Sequence, residues 1–225
     1  MLIEFIAVTV EDAKLIERSG ADRIELVSGL TEGGITPSYG LIEKVVNSVN
    51  IPVNVMVRPH AQSFCYSEDD ITIMKNDIRI IRSIGANGVV FGVLDNKGDV
   101  DFRRVEELLT EVGTMEVTFH RAIDSSNNIM KAAQKIDQYK EITTILTSGG
   151  YGDWETRLET LRKMKETCTN THILIGSGLS KDNIRQVHTQ AATNHYHFGT
   201  AIRNENSILK SVSLEKAIEI VHTLK

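Results

Sequence analysis

Cysteine is scarce in this chain. Only Cys65 and Cys168 occur among 225 residues, and neither belongs to a Cys-x-x-Cys pair. A disulfide framework is thereby excluded. A basic run is also missing: 25 Lys and Arg stand against 30 Asp and Glu, a net charge of −5. That balance excludes the electrostatic footprint of a nucleic-acid or anionic-membrane binder. No apolar run approaches the roughly 18 residues of a membrane span. The opening Met-Leu-Ile-Glu-Phe-Ile-Ala has no basic n-region and meets a carboxylate at Glu4. It reads as a first strand rather than a signal peptide. A cytoplasmic, thiol-reducing compartment is expected. Linkers, low-complexity tracts and close internal repeats are absent too, so residues 1–225 read as one domain.

What is present is alternation. Short apolar runs alternate with amphipathic helical segments from end to end. Strands are expected at Leu2–Ala7, Arg23–Leu26, Val53–Val57, Gly88–Phe91, Glu116–Phe119, Thr143–Leu146, His172–Ile175 and Tyr196–Phe198. Helices are expected over Glu11–Ser19, from Thr36-Pro37 onward, and over Glu68–Ile84, Phe102–Val112, Ile129–Tyr139, Trp154–Glu166, from Lys181, and Leu214–Leu224. Glu68–Ile84 is the clearest, with Ile71, Met74, Ile78 and Ile81 on one side and Ser67 with Asp70 as its cap. Thr9 with Asp12 fits a similar box on the first helix. Eight strand–helix units of about 28 residues imply a parallel sheet with right-handed crossovers. They suit an α/β fold, a closed (β/α)8 TIM barrel, with a doubly wound open sheet as the alternative.

Strands buried on both faces should be near-continuously apolar. Several here are not. Side chains alternate across a strand, so Arg23 and Glu25 share a face, as do Asn54, Met56 and Arg58, Thr118 and His120, and His195 and His197. With Glu4, these faces would fill a barrel mouth with Glu4, Arg23, Glu25, Arg58 and His120. One reading is a structural ion network, since charge pairs inside barrels can be architectural. The other is a polar pocket in which Glu25 or Glu4 accepts protons, His120 shuttles them, and Arg58 and Arg121 hold an anion.

Glycine-rich loops add to the second reading. Thr147-Ser-Gly-Gly150, Gly176-Ser-Gly-Leu-Ser180 and Phe198-Gly-Thr-Ala-Ile202 follow strands 6, 7 and 8. In such barrels phosphate sites favour the loops after strands 7 and 8. Ser148, Gly149, Gly176, Gly178 and Gly199 are thus candidates to hold a phosphorylated or carboxylated ligand, against the plainer reading of tight-turn glycine. The segment Thr31-Glu-Gly-Gly-Ile-Thr-Pro37 reads either as a flexible turn or as a cradle or lid. Cys65, in Ser63-Phe-Cys-Tyr66, lies on the site-bearing side. A soft metal such as Cu(I) would favour its thiolate, although a lone cysteine is more often an incidental thiol. The i, i+2 spacing of His195 and His197 puts two imidazoles on one face without a third local ligand.

In order along the chain come Arg-Ile-Glu-Leu, Glu-Gly-Gly-Ile-Thr-Pro-Ser, Val-Arg-Pro, Phe-Cys-Tyr-Ser, Gly-Val-Leu-Asp, Thr-Phe-His-Arg-Ala-Ile-Asp and Leu-Thr-Ser-Gly-Gly. Together they resemble the copper homeostasis protein CutC family over nearly the whole chain. The resemblance implies a cytoplasmic, dimeric (β/α)8 barrel associated with copper tolerance or copper binding. Its motif positions fall on Glu4, Arg23, Glu25, Arg58, Cys65, His120, Arg121 and Asp124. Where the family often reads Arg-Ile-Glu-Leu-Cys, this chain has Val27. A multi-thiolate Cu(I) site within one subunit is therefore not expected, and an enzyme acting on a small anionic metabolite without metal is the alternative.

Overall fold

The computed structural model describes residues 1–225 as a closed barrel of eight parallel strands, each followed by a helix. The strands are β1 (Leu2–Ala7), β2 (Arg23–Leu26), β3 (Val53–Met56), β4 (Gly88–Phe91), β5 (Glu116–Phe119), β6 (Ile142–Thr147), β7 (His172–Ile175) and β8 (His195–Phe198). The helices are α1 (Val10–Arg18), α2 (Tyr39–Val46), α3 (Glu68–Ile84), α4 (Phe102–Val112), α5 (Ile129–Ile136), α6 (Trp154–Thr167), α7 (Lys181–Gln190) and α8 (Leu214–Leu224). β8 pairs with β1, Leu2 opposite His195 through Phe5 opposite Phe198, so the sheet has no free edge and the open-sheet alternative falls away.

Local chemistry sets the helix ends. Ser67 and Asp70 form the expected capping box on α3, and Ile71, Met74, Ile78 and Ile81 are its buried face. Each such side chain contributes roughly 1.5–3 kcal/mol by leaving water. Two caps differ from expectation. α2 starts at Tyr39 under a Ser38 cap, because Thr36 is spent elsewhere: its Oγ1 accepts from the Arg58 N–H at 2.9 Å. On α1 the Thr9 side chain accepts from Asp12 N. Asp12 does not close the box. It is drawn inward to Arg203, which is fully buried and donates to Asp12 Oδ2 and to Ile6 O at 3.1 Å each. Asp12 Oδ1 accepts from Val212 N at 3.0 Å. This pair ties the loop after β8 to the first strand and helix.

The main apolar core fills the space between barrel and helices. A second, small cluster of Ile6, Val27, Met56 and Val90 lies inside the barrel. The rest of the interior is polar to an extent that a packed core of Val, Ile and Leu would not be.

Candidate functional site

Alternation sends Glu4, Arg23, Glu25, Arg58, His120 and His197 to the barrel interior, and all are buried. Register then arranges them. Glu4 stands opposite Arg23 on one side and His197 on the other. Its carboxylate accepts from Arg23 Nε at 2.6 Å and faces His197 Nδ1 at 2.7 Å. Arg23 Nη1 continues to Glu116 at 3.1 Å, a side chain open to solvent at the amino end of β5. Burial opposes the Glu4 charge, but Arg23 and His197 outweigh it and hold the carboxyl down at about 2. Glu4 and Arg23 do not line the cavity above them; they form its foundation.

Glu25 sits one layer higher and does line the cavity. It has no arginine partner in contact. Its Oε2 is 3.8 Å from His197 Nε2, and its Oε1 has no partner in the protein. Burial therefore dominates and raises its carboxyl to about 7. Burial works against the His197 imidazolium, yet Glu25 and the Glu4 hydrogen bond outweigh it and shift its pKa upward. Glu4 thus orients His197, and His197 faces Glu25.

His120 behaves oppositely. Burial, with the Arg58 charge, lowers its pKa to about 3, so the ring is neutral. Nδ1 accepts from the Ala122 N–H at 3.2 Å, which places the remaining proton on Nε2. Nε2 is buried and has no partner. The ring fits because a glycine directly follows β4: a Cβ on Gly92 would lie 2.5 Å from His120 Nδ1.

The cavity at the carboxyl end of the strands holds about 560 Å³. Ile6, Leu30, Met56, Phe64, Leu146 and Leu179 form its apolar wall, with Glu25, His120, His197, Arg58 and Arg121 as polar groups. This mixture of apolar lining and a few convergent polar groups marks a small-molecule site.

Its rim comes from loops. Arg58 Nη1 donates to Glu32 O at 2.8 Å and Gly34 O at 3.0 Å, and its guanidinium lies over the Phe64 ring. Arg58 thus straps the segment after β2 into a wall, closed by a Ser28–Ile35 bridge, rather than leaving it as a loose turn. Asp124 is fully committed: it accepts from Thr147 Oγ1 at 2.5 Å, Ser148 Oγ at 2.7 Å, Ser148 N at 3.0 Å and Arg121 Nε at 3.0 Å. It positions Arg121, whose half-exposed side chain reaches the cavity. Ser148 and Gly178 line the cavity with Gly199, while Gly149 and Gly176 do not. A Cβ on Gly176 would press on Leu146 at 2.7 Å, and one on Gly149 would meet Arg157 O at 2.6 Å. Those two glycines serve close packing.

Arg157 and Ser177 are rim residues that sequence reasoning missed. Arg157 donates to Ser148 O at 2.6 Å and Ser177 O at 2.8 Å, stacked on Trp154. It joins the loops after β6 and β7. Ser177 adopts φ 69°, in the left-handed region, which costs a non-glycine residue about 1 kcal/mol or more. The N–H groups of Ser177, Gly178 and Leu179 make no backbone hydrogen bond. His197 was visible only as half of a His-x-His pair; its link to Glu4 needed the β1–β8 closure.

Cys65 lies apart. It is exposed, does not line the cavity, and belongs to no cluster of three or more His, Cys, Asp or Glu groups. Cys168, at the end of α6, is buried, and burial raises its thiol to about 11. The one cluster with metal-ligand spacing is Glu4, Glu25 and His197. Its donors are hard oxygen and imidazole, and Glu4 is already paired with Arg23, so it does not fit Cu(I), which prefers thiolate and thioether.

Comparison with known proteins gives the family. The CutC family model matches residues 1–202. The chain belongs to the CutC family. A CutC family protein of Proteus mirabilis is 40% identical over 184 residues, 82% of this chain and 73% of the relative. A CutC family protein of Yersinia pestis is 39% identical over 199 residues, 84% of this chain and 78% of the relative. The crystal structure of a CutC copper homeostasis protein from Streptococcus agalactiae superposes with a TM-score of 0.83 at 26% identity, covering 90% of this chain and 99% of that one. A phosphoribosylanthranilate isomerase from Thermotoga maritima, at 11% identity, has a TM-score of 0.65 over 100% of this chain and 98% of that one. That likeness concerns the barrel alone. The name copper homeostasis is carried by the Streptococcus agalactiae protein; the Proteus and Yersinia relatives are named for the CutC family.

Proposed function

We propose that the barrel mouth is an acid–base site for a small phosphorylated or carboxylated ligand, and that this chain is an enzyme needing no metal for that step. The observation that carries the reading is the pair of buried, unpartnered polar atoms in the cavity, Glu25 Oε1 and His120 Nε2. A buried polar group without a partner costs about 1–3 kcal/mol, and such a cost is characteristic of sites that spend it on a ligand. In this reading Glu25 takes and returns a proton, oriented and charged against His197. His120 donates its Nε2 proton in a hydrogen bond without ionising. Arg121 and the free N–H groups of Ser177 to Leu179 hold the anion, Arg58 shapes the wall, and Glu4, Arg23 and Asp124 keep the others in place.

Copper enters this reading through the family rather than through a ligand set. Copper carriage by Cys65 would rest on one exposed thiol. We place the protein in the cytoplasm, as its two free cysteines suit, and expect a homodimer from the family resemblance. No helix is long and apolar enough to cross a membrane.

The test is thermal stabilisation by 2-phosphoglycolate beside anaerobic Cu(I) titration against a chelator. The reading predicts stabilisation that is lost in Arg121→Ala, and Cu(I) binding indifferent to Cys65→Ser. Tight stoichiometric Cu(I) binding lost in Cys65→Ser, without any effect of 2-phosphoglycolate, would overturn it.

A further inference from the structure

We propose that Glu25 and His120 carry out enolisation: Glu25 removes a proton from the carbon next to a carbonyl in a short phosphorylated hydroxy-carbonyl compound, while His120 Nε2–H hydrogen-bonds the carbonyl oxygen. This rests on the anion-site reading above and narrows it to a reaction class.

The argument begins with what the cavity lacks. No lysine lines it, so a Schiff base has no amine to form on. The Ser148 hydroxyl donates to Asp124, a carboxylate already taken up by Thr147, the Ser148 N–H and Arg121, rather than to an imidazole. His120 Nδ1 accepts from a backbone N–H, and His197 Nδ1 faces Glu4. Neither imidazole is paired with a hydroxyl or thiol, so the geometry for an activated nucleophile is missing. What remains is one carboxyl with a free oxygen and one neutral imidazole with a free N–H.

That pair has the parts of an enolising site. A carboxylate base is strongest when burial has raised its pKa toward the working pH. A neutral N–H donor stabilises an enolate oxygen without giving up its proton in the ground state. Burial, with the charges of Arg58 and Arg121, keeps the His120 ring uncharged, and its Nδ1 acceptor bond fixes the tautomer. Ile6, Met56 and Leu146 line the same cavity with apolar surface. The phosphate end fits the rim that Arg121, held by Asp124 through Nε, shares with the N–H groups of Ser177, Gly178 and Leu179, which make no backbone hydrogen bond.

The step balances without a co-reactant. The C–H bond breaks and its proton goes to Glu25 Oε1. The electron pair forms the C=C bond, and the carbonyl π pair moves to the oxygen facing His120. Return of the proton to the former carbonyl carbon, while the neighbouring hydroxyl's proton passes to the former carbonyl oxygen, gives an isomer; return to the other face of the same carbon gives an epimer. Nothing is oxidised or reduced overall.

The experiment is deuterium exchange. The full chain in D2O is incubated with dihydroxyacetone phosphate and, separately, ribulose 5-phosphate, and proton NMR follows the carbon next to the carbonyl. Wild type should exchange that proton with at least one probe about 100-fold or more above buffer, and Glu25→Gln should lose about that factor. His120→Phe should slow exchange and His120→Gln, which keeps an N–H donor, should recover part of it. Thermal stabilisation by 2-phosphoglycolate is measured on the same samples. Stabilisation without exchange of either probe overturns the enolisation and leaves the anion site standing. Neither stabilisation nor exchange overturns both. Exchange that survives Glu25→Gln in a folded protein overturns the assignment of the base.

Discussion

Glu4 and Glu25 are the same residue type, both buried, on adjacent strands, yet the structure gives them opposite tasks. Glu4 has Arg23 at 2.6 Å and stays ionised; Glu25 has only His197 at 3.8 Å and is pushed to about 7. The difference is testable as stability. A carboxyl with a raised native pKa favours folding when protonated, so its contribution is present below the unfolded value and is lost as pH rises through about 7. Glu25→Gln removes that loss. It should raise the melting temperature at pH 8 by roughly 4 °C or more and change little at pH 4, as calorimetry at the two pH values would show. Glu4 has the reverse sign, with stability present above the unfolded pKa and lost as pH falls toward about 2. Glu4→Gln leaves Arg23 with only the solvent-facing Glu116 and should cost about 3–5 kcal/mol in urea unfolding. These two roles could not be separated in the sequence. Arg23 and Glu25 share a strand face, and only the β1–β2 register decides that Arg23 meets Glu4.

Strand positions were legible because apolar periodicity and caps are local. α3 and α4 and strands β1, β2, β4, β5 and β7 fall where the pattern puts them. The loops were less legible, because their geometry depends on distant side chains. Ser38 rather than Thr36 caps α2, since Thr36 is held by Arg58 of the next strand unit. Arg157 bridges two loops from α6, and nothing in its own segment signals that. At this scale Gly92→Ala should leave the barrel folded but displace His120, whose Nδ1 lies 2.5 Å from the added Cβ. Its signature is loss of the enolisation readout with 2-phosphoglycolate stabilisation retained. Arg157→Ala should do the reverse to the rim, weakening 2-phosphoglycolate binding about tenfold, the loss of a hydrogen-bonded brace worth ~1.4 kcal/mol. Calorimetric titration of each variant separates the two.

The whole molecule was the most legible of all. Eight alternating units in about 225 residues leave few other ways to bury the apolar faces. The closed barrel then puts the strand carboxyl ends around one cavity, so residues far apart in sequence, from Glu25 to Gly199, meet without any sequence signal of pairing. A ligand that binds only this assembled mouth should stabilise the entire fold, by about 2.7 kcal/mol at a hundred times its Kd. Scanning calorimetry with rising 2-phosphoglycolate should show one transition moving upward as a unit.

The account depends most on Glu25 being a poised carboxyl within the mouth. Carbon-13 NMR of side-chain-labelled glutamates across pH 3–9 measures it directly. The account predicts one carboxyl titrating near 7, absent in Glu25→Gln and shifted when 2-phosphoglycolate is added. If every glutamate instead titrates in the ordinary carboxylate range, Glu25 is a structural charge and the acid–base reading of this barrel is wrong.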